Sequence, residues 1–373
     1  MKPKIAVDAR YGLRSPRRGV GEYVHQVLVQ LARQENPYDL ILYGDQSSNP
    51  KTVEFFRTIY PVHILNAPNF FLWEQWIWPQ AAKKAKILHG TANIGPLRAS
   101  IPQILTVHDV IEWHRGRDFP GEIPFRHHVS RFYRMNALKY LAPRALRIMT
   151  VSEHAKADLI QTLGVSSDRV HVTPLAGKYA VLDEVPPYPT KEGSYILVLG
   201  ALDPRKNLVS ALKAFARVRD RAVTLKVVGV EPQGVGKIKA MAQSLGMVQR
   251  VEIRTMVSDD ELKRLYQNAA AFLYLSRYEG FGLPLLEAMS QGCPVIFARD
   301  SSLPEVACQS GIPVDADDAQ SIAQHLEQLL ADRDLRHAQS LKSLERARQF
   351  SWQHTAALTH KVYLKALKEA GGR

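Results

Sequence analysis

Cysteine is nearly absent from this 373-residue chain, which has only Cys293 and Cys308. Two thiols make neither a disulfide framework nor a four-thiolate zinc site, and they fit a reducing cytosol. Long apolar runs are missing too. No window approaches the ~18 consecutive apolar residues of a membrane span. Lys2, Lys4, Asp8, Arg10 and Arg14 interrupt the opening stretch, so neither anchor nor signal peptide is expected. Zinc-enzyme spacing of the H-E-x-x-H kind does not occur: His108 and His114 are six apart, and His127 and His128 are adjacent. The G-x-S-x-G elbow of serine hydrolases, an internal repeat and a low-complexity tract are likewise missing.

What is present is an ordinary globular composition, with 46% hydrophobic and 23% charged residues. The length exceeds the ~100–200 residues of a usual domain, so two domains are expected. The formal charge of +13 calls for a polyanionic partner: nucleic acid, an anionic membrane face or phosphorylated small molecules. Residues 1–178 carry 24 Lys and Arg against 14 Asp and Glu, or +10; the remainder carries 25 against 22, or +3. The excess is therefore concentrated in the first half. A nucleic-acid-binding protein is the rival reading from charge alone, but no helix-turn-helix, RRM or zinc module accompanies it.

Short β-branched runs alternate with helical patterns along most of the chain. Strands are expected at Ile5–Asp8, Asp39–Tyr43, Lys86–His89, Gln103–Val107, Arg147–Val151, Tyr195–Gly200, Thr224–Gly229, Val251–Arg254, Ala271–Leu275 and Pro294–Phe297, each followed by a helix. Such βαβα order implies parallel sheets covered on both faces, hence an α/β chain of two doubly wound, Rossmann-like domains. The proline-dense stretch around Glu184–Pro189 marks a linker. The expected division is a first domain over 1–178, a linker over 179–194 and a second domain over 195–352, with a last helix at about 353–373. Ligands in such sheets sit beyond the carboxyl ends of the strands, which singles out the residues there.

Five stretches follow from that rule or from composition. In Tyr274–Met289 a strand enters a glycine-rich turn and then a helix. Gly280 and Gly282 allow close backbone approach, Pro284 suits the first turn, and the free N–H groups with the helix dipole make an anion site. Glu279 and Glu287 lie eight apart there and, being repelled by phosphate, suit hydroxyls. In Gly200–Leu208, Arg205 offers a planar fork and Lys206 a point charge, together suited to a diphosphate; the alternative is a turn with solvated cations. Arg17–Val24 places Gly19 and Gly21 where a helix opens, without completing a dinucleotide fingerprint. Thr106–Asp109 sets His108 at a strand end, able to donate to substrate oxygens. The aromatic strip Phe70–Trp78, with the basic helix expected over Arg126–Arg147, reads either as buried core or as a surface for anionic headgroups.

Taken together, Gly19-Val20-Gly21-Glu22-Tyr23, Val107-His108-Asp109, Thr150–His154, Gly200–Asn207, Glu279–Glu287 in E-x7-E spacing, Gly292–Val295 and Phe350-Ser351-Trp352 resemble the retaining glycosyltransferases of family 4 over nearly the whole chain. The resemblance implies a GT-B fold: two Rossmann-like domains facing a central cleft, with the C-terminal helix returning to the first. It implies that Arg205 and Lys206 hold the donor diphosphate with backbone N–H groups of Phe281, Gly282 and Leu283, and that Glu287 accepts from the ribose. Glu279 would contact the transferred sugar, His108 would approach it from the other domain, Gly19 and Gly21 would let a loop close over phosphate, and Thr255 and Met256 would lie beside the base. Arg18 stands where family members often carry glycine, and so does the region of Thr255. The implied activity is metal-independent transfer of a hexose from a nucleotide-diphosphate sugar, UDP-glucose first and GDP-mannose next. No cofactor is implied. The implied acceptor is a glycan or polyprenyl-linked oligosaccharide of exopolysaccharide or lipopolysaccharide synthesis, with the enzyme cytoplasmic and peripheral at the inner face of an anionic membrane, and with no nucleic-acid partner. A GT-B epimerase or phosphorylase is the alternative within the fold.

Overall fold

A computed structural model describes residues 2–114, 125–187, 194–200 and 202–371, with backbone alone at 125–128. Of the stretches singled out above, residues 188–193 of the linker, Ala201, residues 372–373 of the last helix and the side chains of Arg126, His127 and His128 lie outside the described residues. The chain divides into two units: the first gathers the residues up to Ala176 with the C-terminal segment from Ser351, and the second runs Gly177–Phe350.

The first unit is built on β1 (Lys4–Asp8), β2 (Asp39–Asp45), β3 (Val62–Leu65), β4 (Ile87–Gly90), β5 (Gln103–Thr106), β6 (Arg147–Thr150) and β7 (Val170–Val172), ordered β3-β2-β1-β4-β5-β6-β7 and parallel throughout. The second contains β8 (Tyr195–Leu199), β9 (Thr224–Val228), β10 (Val251–Arg254), β11 (Ala271–Tyr274), β12 (Val295–Ala298) and β13 (Ile312–Val314), ordered β10-β9-β8-β11-β12-β13, again all parallel. Central strands such as β11 (AFLY) and β12 (VIFA) are apolar at every position and wholly buried, because helices cover both faces. The edge strand β10 (VEIR) is half-buried and accordingly mixed.

Three strands were not expected: β3 (VHIL), β7 (VHV) and β13 (IPV) are edge strands whose short apolar runs a histidine or proline interrupts. Nor does a helix follow every strand. β4 reaches its parallel neighbour β5 through irregular chain over Thr91–Pro102. The basic helix is shorter than expected, Phe125–Leu141. The last helix, Trp352–Gly371, packs on the helix Val20–Leu31, and its Tyr363 hydroxyl lies 2.7 Å from His89 Nδ1.

In each sheet the strand order reverses once, between β1 and β4 in the first unit and between β8 and β11 in the second. The loops leaving the two flanking strands in opposite directions open a crevice at that reversal.

Candidate active site

Two loops meet at the reversal point of the second sheet, one from β8 and one from β11. The β8 loop is a tight 3-10 turn, Pro204–Lys206, in which each residue has a mechanical reason. The Asp203 carboxylate accepts from Arg205 N–H at 3.0 Å, Pro204 presets the turn, and Asn207 takes a left-handed φ of 52° while donating to the Ala316 carbonyl at 3.0 Å. The two loops are also tied backbone to backbone, since Arg277 N–H donates to the Arg205 carbonyl at 2.8 Å. Arg205 and Lys206 are thereby aimed at the turn that carries Glu279.

Glu279 is the hub. Its Oε1 accepts from Lys206 Nζ at 2.5 Å, the Tyr274 hydroxyl at 2.7 Å and Ser276 Oγ at 2.7 Å, while Oε2 accepts from Arg205 Nη1 at 3.2 Å. Its backbone is clamped as well: Glu279 N–H donates to Ser301 Oγ at 2.8 Å, and Ser302 Oγ donates to the Glu279 and Phe281 carbonyls at 2.9 and 2.8 Å. Burial alone would raise this carboxyl, but the charges of Lys206 and Arg205 and the hydrogen bonds of Lys206 and Ser276 outweigh it and hold Glu279 below its ordinary value. Burial acts on Lys206 more strongly than Glu279 opposes it, so the ammonium is pulled below its ordinary value too. At neutral pH the pair is ionised, because a carboxylate with two cations and two hydroxyls is better satisfied charged than neutral. Burial and the Glu279 charge push the Tyr274 phenol well above its ordinary value, so it stays a donor.

Arg205 and Lys206 face Glu279, and Asp203 pairs with Arg205 from behind at 3.7 Å, so the cluster is charge-balanced while both cations stay at the crevice. Beside them the helix Leu283–Ser290 begins at Gly282, whose φ of +102° and whose absent Cβ, which would meet Leu303 Cδ2 at 2.6 Å, admit only glycine. The buried Phe281 and Gly282 thus bring peptide N–H groups and the positive end of a helix dipole to the same crevice. Glu287 lies in that helix, partly exposed, with Tyr179 and Tyr266 in its field. Thr255 and Met256 are exposed just beyond β10, two strands from β8; Met256 is 81% exposed.

The remaining expected residues belong to the first unit. His108 is buried beyond β5, donates from Nε2 to the Thr91 carbonyl at 3.0 Å and packs edge-on to Tyr23, with ring centroids 4.9 Å apart. Burial lowers its pKa to about 4, so it is a neutral hydrogen-bonding group at physiological pH, not an acid. Gly19 precedes the helix Val20–Leu31 with φ +49°, and a Cβ on Gly21 would meet the Tyr11 carbonyl oxygen at 2.9 Å.

Sequence reasoning missed Tyr274, Ser276, Ser301 and Ser302, whose roles depend on which hydroxyl faces the carboxylate. It also missed a buried network at the end of β1. Arg10 lies on the Trp73 ring at 3.7 Å and pairs with Asp8 at 2.6 Å and Glu74 at 3.4 Å, and Glu74 Oε1 also accepts from Tyr133 and Gln75 at 2.9 and 2.8 Å. Burial is the largest influence on Glu74 and lifts its pKa from 4.5 to about 7. A carboxyl raised in the folded state binds its proton where the unfolded chain has released it, so its stabilising contribution is full below pH 4.5 and is lost as pH rises through about 7. The melting temperature of Glu74→Gln, followed from pH 5 to 8 by calorimetry, should therefore fall less across that window than that of the parent. Parallel curves would contradict the assignment.

The aromatic strip divides between both expectations: Trp73 and Trp78 are fully buried, whereas Phe70, Phe71, Leu72 and Trp76 are 41, 49, 40 and 69% exposed. Among the described residues no helix is long and apolar enough to cross a membrane, and no group of three or more His, Cys, Asp or Glu side chains is arranged to hold a metal ion.

Comparison with known proteins converges on one family. The profile of Glycosyltransferase Family 4 matches residues 17–176, and that of Glycosyl transferases group 1 matches residues 186–346. The O-antigen chain mannosyltransferase B of Escherichia coli is 28% identical over 329 residues, covering 84% of this chain and 80% of that protein. The MMP alpha-(1->4)-mannosyltransferase of Mycolicibacterium hassiacum is 30% identical over 289 residues, covering 74% of this chain and 69% of that one. Among solved structures, Anabaena Alr3699/HepE in complex with UDP-glucose superposes with a TM-score of 0.71 at 14% identity, over 98% of this chain and 99% of that chain.

Proposed function

The chain belongs to glycosyltransferase family 4 and has the GT-B fold, and on that premise we propose that it is a retaining, metal-independent mannosyltransferase of bacterial surface-polysaccharide assembly. The observation that carries the reading is the convergence of Arg205, Lys206 and the helix start at Phe281–Leu283 on Glu279. As the anomeric C–O bond breaks, charge collects on the departing nucleotide diphosphate, and a guanidinium, an ammonium and peptide N–H groups meet that charge in a site of low dielectric. The acceptor hydroxyl attacks from the leaving-group side and passes its proton to a phosphate oxygen, which retains the anomeric configuration. Glu287 accepts from the ribose hydroxyls, and Thr255 and Met256 border the base. From the first unit, neutral His108, its Nε2–H held by the Thr91 carbonyl, accepts from a sugar hydroxyl at Nδ1, and Gly19 and Gly21 let their loop approach phosphate.

Glu279 acts as support, not as nucleophile. Three donors already engage its Oε1 and Arg205 engages Oε2, and a carboxylate so solvated is a poor attacking group. It orders the two cations and accepts from the sugar.

The resemblance put UDP-glucose first and GDP-mannose next. The mannosyl activity named for both relatives moves the preference to GDP-mannose, because likeness to a UDP-glucose complex at 14% identity speaks to fold alone. A thermal-shift screen with GDP-mannose, UDP-glucose and UDP tests this: ligand held by the native state at ~100 times its Kd stabilises by ~2.7 kcal/mol. GDP-mannose should give the largest shift, and transfer from it should persist in EDTA. A larger shift with UDP-glucose would reassign the donor, and loss of activity restored by manganese would remove the metal-free scheme.

The acceptor in this proposal is a glycan on a lipid carrier at the inner membrane face. Support comes from exposed Phe71 and Trp76, which with Lys83 and Arg98 line a cavity of about 380 Å³ in the first unit. Amphipathic rings beside cations suit the headgroup layer. The variant Phe71→Ala/Trp76→Ala should lose flotation with phosphatidylglycerol vesicles at parental stability; undiminished flotation would place the membrane face elsewhere.

A further inference from the structure

At the far edge of the first sheet, the strand β7, the helix Glu153–Leu163 and the last helix Trp352–Gly371 enclose a second cavity, of about 450 Å³. Its lining is cationic, with Lys156, Lys361 and Lys365 beside His171, and includes the apolar Val172 and Leu358. None of the three lysines forms an ion pair among the described residues. Asp168, the carboxylate that acts on the imidazole, is engaged by Arg147, which also pairs with Glu369. His171 Nε2 is buried and has no hydrogen-bond partner.

Such an arrangement is costly without a ligand. A buried ring nitrogen without a partner forgoes the hydrogen bond that water would supply, and ammonium groups gathered without a counter-charge repel one another. Burial first, then the charges of Lys365, Arg147 and Lys156, hold His171 down to about pKa 4, with Asp168 opposing them only weakly. Both costs disappear when a dianion enters, accepting from the lysines and allowing His171 to take up a proton and donate. We propose that the cavity bounded by Lys156, His171, Lys361 and Lys365 is a binding site for a phosphate monoester. The apolar part of the lining suits an ester whose alcohol is apolar. Two sources share this chemistry, a lipid phosphate and a soluble phosphorylated metabolite. The cavity has no residue in common with the donor crevice or with the Phe71–Trp76 surface, so its test is independent of both.

The probes are dihexanoyl phosphatidic acid below its micellar concentration and glycerol 3-phosphate, titrated into full-length protein carrying 13C-labelled histidine. The His171 ring signal is assigned by its loss in His171→Gln. The signal should shift saturably, with its apparent pKa rising on binding. Each cation removed from a phosphate contact costs ~10-fold in affinity, so Lys361→Gln/Lys365→Gln should weaken binding ~100-fold at unchanged melting temperature, both lysines being exposed. Tighter binding of the phosphatidic acid identifies a lipid phosphate as occupant, and equal binding of both probes identifies a soluble ester. No movement of the His171 signal with either probe at about 10 mM, or affinity unchanged in the double variant, overturns the proposal.

Discussion

Alanine at Lys206 lowers the rate of sugar transfer by ~10²-fold or more while leaving the fold intact, and alanine at Arg205 does the same. The size of the effect follows from where the charge appears. The ground-state donor already carries its diphosphate charge, but bond cleavage adds charge on the leaving oxygen, and only groups fixed close by in a poorly hydrated site meet it without reorganising. Lys206 and Arg205 are fixed in this sense: their side chains are 19 and 18% exposed, and Glu279, Tyr274 and the Tyr278 carbonyl hold their nitrogens at 2.5–3.3 Å. Stability changes little, because Glu279 keeps the Tyr274 and Ser276 hydroxyls and one remaining cation. Rates at saturating donor, set beside melting curves, separate catalysis from folding. Parental turnover in Arg205→Ala/Lys206→Ala would refute the role assigned to both.

Substitution of Glu279 has the opposite balance. In Glu279→Ala two buried cations lose their common counter-charge, and breaking a buried pair from one side costs about 3–5 kcal/mol, enough to lower the melting temperature of the second unit by roughly 10 °C. Glu279→Gln recovers only the hydrogen bonds of Ser276 and Tyr274 and not the counter-charge, so its stability lies between those of Glu279→Ala and the parent, and transfer stays depressed by ~10²-fold because the cations and the sugar lose a charged partner. Azide separates support from nucleophile: if the carboxylate attacked the anomeric carbon, azide would fill the gap in Glu279→Ala and release an inverted glycosyl azide. No such product is expected. Its appearance, or a Glu279→Ala protein as stable as the parent, would contradict the arrangement described.

The two kinds of expectation differ in origin. Periodicity along the chain, with apolar runs at β8, β11 and β12 and helical patterns between, was enough to specify parallel α/β architecture, since each residue's polarity reports its own burial. The glycine turn was equally legible, since Gly282 is required by local backbone geometry; the roles of Asp203, Pro204 and Asn207 in shaping the Pro204–Lys206 turn came from the structure. Strand order was not legible. Arg205 and Glu279 are 74 positions apart and meet because β11 lies beside β8 although β9 and β10 intervene in the chain. Tyr274 and Ser276 reach Glu279 through the turn of a single segment, whereas Glu74 is wrapped into the first core and three lysines line one cavity with His171 through packing of distant elements. Local patterns determine what each segment is, whereas pairing between segments decides which charges share a low-dielectric pocket, and the chemistry of this protein depends on that sharing.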